Sequence, residues 1–154
     1  MARCSAALGG YDRDRRLPSS LLDSRRSAIF PRMSIPRFSV VYADDDPLMR
    51  EAITDALTQE SVDVHTCGDG AEALALCEQI HPDAVLLDLN MPEVTGLEIA
   101  RQLRRDAKHA GLRLVALTGH GSWELRKKAM DAGFDEFLSK PVGTDVLLRA
   151  LRPR

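Results

Sequence analysis

Five short apolar runs alternate with five stretches of helical period, and this alternation restricts the fold more than any other feature of the chain. The runs are "FSVVYA", "VDVHTC", "AVLLD", "LRLVALT" and "EFLS". Each is short, rich in β-branched or large apolar residues, and closed by charged or turn-forming residues, which reads as a strand. "AVLL" shows no polar alternation, as expected of a strand covered on both faces.

The intervening stretches carry helix signals. In "DPLMREAITDALTQE", Pro47 stands just inside a helix start with Asp46 as its N-cap. Leu48, Ala52, Ile53, Ala56 and Leu57 fall on one face of that helix. "DGAEALALCEQIHP" is a second helix, stopped before Pro82. "GLEIARQLRRDAKHA" is predicted as a third, running over 96–110 and ended by Gly111. "SWELRKKAMDAG" ends at Gly133, and "GTDVLLRALRPR" supplies a short last helix. The pattern is (βα) five times, which implies an α/β fold: a doubly wound parallel sheet with helices on both faces.

A chain of 154 residues with 44% apolar content builds one domain core. The net charge of −2 directs it neither to nucleic acid nor to an anionic membrane. That total conceals an asymmetry: seven arginines against three aspartates give residues 1–33 a charge of +4, leaving −6 for the rest. Residues 1–37 are Arg- and Ser-rich, hold prolines 18, 31 and 36, and show no sustained period, so they read as a disordered or weakly structured arm. Three origins stay open for it: translation that begins at Met33, a genuine flexible arm, or an organelle transit peptide, against which its aspartates argue. Cys4, Cys67 and Cys77 form no CxxC pair and read as free thiols of a reducing, cytoplasmic compartment. No apolar run approaches the roughly 18–20 residues needed to span a bilayer.

In a doubly wound sheet, ligands bind beyond the carboxyl ends of the strands. Those ends carry Asp44, Asp45 and Asp46 after the first run, Asp88 after the third, Thr118 after the fourth, and Lys140 with Pro141 after the fifth. A carboxylate closing the most apolar run is costly unless it is paired or faces a cation. Clustered carboxylates suit Mg²⁺, a hard cation that takes oxygen ligands, here Asp45, Asp88 and a backbone carbonyl near Asn90. A carboxylate can also act as a nucleophile toward phosphorus, with Thr118 and Lys140 placed to hold phosphoryl oxygens.

"YADDDPLMRE", "LLDLNMPEVTGLEIA", "VALTGH" and "FLSKPV" together resemble the receiver domain of response regulators, the CheY-like form of the flavodoxin-like fold. The resemblance covers about residues 38–152, and the intervals of 43 residues from Asp45 to Asp88, 30 to Thr118 and 22 to Lys140 suit it. It implies a strand order of 2-1-3-4-5. It also implies that Asp88 is the phosphoacceptor, taking phosphate from a histidine kinase or a histidine phosphotransfer protein. Asp44 and Asp45 would bind Mg²⁺, with Asp45 the direct ligand, and Asn90 would add its backbone carbonyl. Thr118 would be the switch hydroxyl and Phe137 the switch aromatic that turns inward with it. Lys140 would pair with the phosphoryl group, and Pro141 would hold its loop. Trp123, Arg126, Lys127 and Lys128 fall in or near the fourth helix, either on the surface that changes for a downstream partner or on a plain solvated face. Asp46 reads as a helix cap, and Glu93 and Thr95 as turn residues.

Rival readings separate on particular residues. A haloacid-dehalogenase-type phosphatase needs an acid two positions after its nucleophile, where this chain has Asn90, so no turnover enzyme is expected. No GxxxxGK[ST] follows any strand, which removes P-loop hydrolysis. A flavodoxin would place "DDDP" against a flavin phosphate, which it would repel. The remaining alternative is a receiver-like contact module that works without phosphorylation. Nothing resembling an output domain or a DNA-binding helix-turn-helix follows the last helix, so the expectation is either a free-standing regulator or relay, or the receiver part of a larger kinase. A dimer formed on phosphorylation stays open, as does the downstream target.

Overall fold

In the computed structural model, the described residues are 37–154, so the arm expected over 1–37 lies, but for Arg37, outside them. Five strands, β1 (Ser39–Ala43), β2 (Asp63–Cys67), β3 (Ala84–Asp88), β4 (Arg113–Thr118) and β5 (Glu136–Ser139), alternate with five helices. The helices are α1 (Pro47–Gln59), α2 (Gly70–Ile80), α3 (Gly96–Arg105), α4 (Trp123–Ala132) and α5 (Thr144–Leu151). The strands form one parallel sheet in the order β2-β1-β3-β4-β5, the order the resemblance implies.

Side chains alternate across the strands, and this divides the core in two. Val40, Tyr42, Leu86, Val115 and Leu117 pack with Ile53 and Leu57 of α1 and Leu147 and Leu151 of α5. Val41, Val85, Leu87, Leu114 and Ala116 pack with residues of α2, α3 and α4, among them Cys77, Ile99, Leu103 and Ala129. β3 is buried at every position, which is why its sequence lacks the alternation of a half-exposed strand.

Local signals set most helix ends. Asp46 caps α1 by accepting from the Leu48 N–H at 3.0 Å. His81 closes α2 in the left-handed conformation, immediately before Pro82. Thr95 and Glu98 form a reciprocal capping box at α3. Gly133 closes α4 at φ 107°, a backbone angle that glycine adopts without steric penalty.

The third helix departs from expectation. It stops at Arg105, and Ala107–His109 form a separate 3₁₀ turn in place of a continuation to residue 110. Asp106 has extended backbone angles, and its carboxylate accepts from the Lys108 N–H at 3.0 Å. That short local bond starts a new turn where the α-helix would have continued. Gly111 therefore caps nothing in α3.

Candidate functional site

The parallel register brings the carboxyl ends of β1, β3, β4 and β5 together, and with them the residues that follow each apolar run. Carboxylate oxygens of Asp44, Asp45 and Asp88 lie within 4.8 Å of one another. Asp44 is fully buried, Asp88 is 6% exposed, and Asp45 is exposed at the mouth. Lys140 enters from the loop after β5, its Nζ 2.8 Å from Asp44 and 3.6 Å from Asp88. The Lys140–Pro141 peptide bond is cis.

Asp44 is the most heavily bonded of the three acids. It accepts from Lys140, from the Tyr42 hydroxyl at 2.8 Å and from the Asp46 N–H at 2.9 Å. Burial pushes its pKa up, but these donors outweigh that and hold it below the ordinary carboxylate range. Asp88 accepts from the Asn90 N–H at 3.1 Å. Burial dominates here; the Asn90 bond and the Lys140 charge pull the pKa down, Asp44 and Asp45 push it up, and it ends raised. Desolvation would lower the Lys140 pKa, yet its bond to Asp44 and the field of Asp88 leave it raised. Burial and the bond to Asp44 push the Tyr42 hydroxyl far up, so it stays protonated as a donor.

The backbone between β3 and α3 leaves no spare room at the site. A Cβ on Gly96 would stand 2.6 Å from the Asp88 carbonyl oxygen, so glycine permits the helix to start this close to the strand end. Glu93, in the same loop, adopts φ 64° and is exposed, as a turn residue.

Thr118 is fully buried at the end of β4. Its hydroxyl accepts from the Asn90 side-chain amide and from the His120 N–H, both at 3.3 Å. Asn90 thus meets the site through two groups, its N–H on Asp88 and its side chain on Thr118. Phe137 sits one strand over, paired in register with Ala116, and packs inward at 8% exposure. Trp123 is 70% exposed on α4, and Arg126, Lys127 and Lys128 are exposed on the same helix; none of the four joins the acidic group.

Two contributors escaped the sequence reading. Tyr42 was legible only as a strand residue, although its place two residues before Asp44 puts both side chains on one face of β1. Arg50 bonds the Asp44 carbonyl through Nη1 at 2.6 Å and carried no signal beyond its charge.

The donor set is all oxygen: three carboxylates around one half-buried ammonium, open to solvent through Asp45. It fits a hard divalent cation, because the exposed Asp45 and the Asp88 oxygens can ligate while Lys140 keeps Asp44 paired.

Comparison with known proteins identifies the family. The profile of the response regulator receiver domain matches residues 40–152. Response regulator MprA of Mycobacterium sp. (strain KMS) is 38% identical over 113 residues, which are 73% of this chain and 48% of that protein. The DNA-binding dual master transcriptional regulator RpaA of Synechocystis is 32% identical over 118 residues, 77% of this chain and 48% of that one. The chain thus spans about half the length of these curated relatives. Among solved structures, the Vibrio cholerae chemotaxis protein CheY4 superposes with a TM-score of 0.69 at 29% identity, covering 72% of this chain and 92% of that one. This chain belongs to the response regulator receiver family.

Proposed function

We propose that this receiver domain is a phosphoacceptor of two-component signalling, taking phosphate onto Asp88 from a histidine kinase or a histidine phosphotransfer protein. The observation that carries the reading is the convergence of Asp44, Asp45 and Asp88 around Lys140 at the strand ends. In the transfer, an Asp88 carboxylate oxygen attacks phosphorus, an O–P bond forms, and the N–P bond of the phosphohistidine breaks. The electron pair of that bond stays on the imidazole nitrogen. Asp88 must be ionised to attack, and the Asn90 N–H and Lys140 favour that form against burial.

Asp45 and Asp88, with the Asn90 backbone carbonyl and with Asp44 close by, would hold Mg²⁺, which when bound neutralises charge on the phosphoryl oxygens. Lys140 has two acids in reach and can turn from Asp44 toward a phosphoryl oxygen near Asp88. Thr118 can donate to another such oxygen once its hydroxyl leaves the Asn90 amide. Phe137, buried on the neighbouring strand opposite Ala116, would follow that movement and alter the surface of α4, β5 and α5 for a partner. The product is an aspartyl phosphate on the protein itself, so the chain acts as a phosphate carrier and switch. Among the described residues no helix is long and apolar enough to cross a membrane.

Beryllofluoride, a phosphoryl mimic, tests the switch directly. With Mg²⁺ present it shifts the amide resonances of Thr118 and Phe137 in the wild-type chain and shifts neither in Asp88→Asn. Absence of any change around Thr118 in the wild type would leave a receiver-like contact module as the better reading.

A further inference from the structure

A second group of ligating side chains lies apart from the acidic mouth, where the last turn of α2 meets the 3₁₀ turn before β4. His109 is 4% exposed, and its Nε2 stands 3.0 Å from Oε1 of Glu78. A carboxylate oxygen of Asp106 completes the group, with all three ligand atoms within 4.8 Å of one another. A cavity of about 240 Å³ opens on the same three residues, walled by Leu74, Gln102 and Leu103. The His81 ring is close by, its centroid 6.5 Å from that of His109.

A hydrogen-bonded staple between His109 and Glu78 would account for that pair alone. Asp106 also caps the 3₁₀ turn through the Lys108 N–H, yet its carboxylate still meets the other two ligand atoms at one point beside open space. One imidazole and two carboxylates form a mixed nitrogen and oxygen donor set, which suits zinc-class ions and not Mg²⁺ or Ca²⁺. Metal bonds of 2.0–2.1 Å at a tetrahedral angle separate two donor atoms by about 3.3 Å. The 3.0 Å between His109 and Glu78 therefore needs only a small opening to admit an ion. Lys108 touches Glu78 at 3.6 Å, but both side chains are at least half exposed, and such pairs yield readily.

We propose that Glu78, Asp106 and His109 form a binding site for a divalent transition-metal ion of the zinc class, with cavity water completing its shell. His81 is the nearest further imidazole. An ion seated there takes the place of the proton between His109 Nε2 and Glu78 Oε1, so Nε2 ligates in its deprotonated form. The ion would tie α2 to the connection between α3 and β4.

Calorimetric titration of the full chain with zinc chloride tests this, with Mg²⁺ in excess to occupy the acidic mouth. The expected result is one saturable site and a large shift of the His109 ring nitrogen in long-range ¹H–¹⁵N spectra. Glu78→Gln, on an exposed side chain that leaves the fold intact, and His109→Gln should each weaken binding at least tenfold. Asp45→Asn should leave it unchanged. No saturable zinc binding by the wild type would overturn the proposal. So would binding that survives both Glu78→Gln and His109→Gln, or binding that only Asp45→Asn removes.

Discussion

Lys140 hydrogen-bonds Asp44 at 2.8 Å and forms only a longer ion pair with Asp88, at 3.6 Å. The cation of the site is thus held by the acid that is fully buried, and Asp88, the proposed phosphoacceptor, keeps its oxygens freer. Removing one member of a buried ion pair strands the other charge, at a cost of roughly 3–5 kcal/mol. Lys140 retains 19% side-chain exposure, which places Lys140→Met near the lower end, about 3 kcal/mol. Urea unfolding in chelated, magnesium-free buffer measures it. A loss under about 1 kcal/mol would mean that water already solvates Asp44.

The same pair sets a pH window for the magnesium-free protein. Asp44 has a folded pKa below its ordinary 3.8, so its stabilisation is present above that value and is lost as pH falls through the folded one. Lys140 has a folded pKa above its ordinary 10.5, so its contribution is complete below 10.5 and is lost as pH rises through the folded one. The stability difference between wild type and Lys140→Met should shrink as pH rises through the folded Lys140 pKa; on the acid side it should shrink above the ordinary Asp44 value, because the variant's Asp44, buried without its cation, takes up a proton more readily. A difference that grows as pH falls would contradict the assignment.

Tyr42 donates to Asp44 from within the core, so Tyr42→Phe removes a charge-assisted bond and keeps the ring. Such bonds contribute about 1.5–3 kcal/mol. The variant should lose stability in that range by chemical denaturation, with the near-ultraviolet circular dichroism of a packed core retained.

Two glycines give a matched comparison. Gly96→Ala sets a methyl 2.6 Å from the Asp88 carbonyl oxygen, a backbone atom that cannot move aside without shifting the end of β3. A destabilisation of about 1–3 kcal/mol is expected, with slower phosphorylation of Asp88. At Gly111 a Cβ meets nothing within 4 Å, so Gly111→Ala should stay within about 0.5 kcal/mol of wild type. Equal effects at the two positions would contradict the packing described around β3.

The strands and the acids at their ends were legible because burial on two faces writes itself as an unbroken apolar run, and Asp88 and Thr118 directly terminate such runs. The break in the third helix was not. "DAKHA" is compatible with a helix, and the outcome turns on one side-chain bond from Asp106 to the Lys108 N–H. The polar ends of Tyr42 and Arg50 were equally hidden. Each touches Asp44, but a residue pattern records which face is buried and not where a hydroxyl or guanidinium finds its partner. The Asn90 side chain on Thr118 joins residues 28 apart, a contact that only the sheet register creates.

Phosphorylation at Asp88 is tested by the intact mass of the chain after incubation with acetyl phosphate and Mg²⁺. The expected result is a gain of one phosphoryl group, absent in Asp88→Asn and absent when the metal is chelated. A phosphoryl group that persists in Asp88→Asn, or no gain together with no response to beryllofluoride, would contradict it.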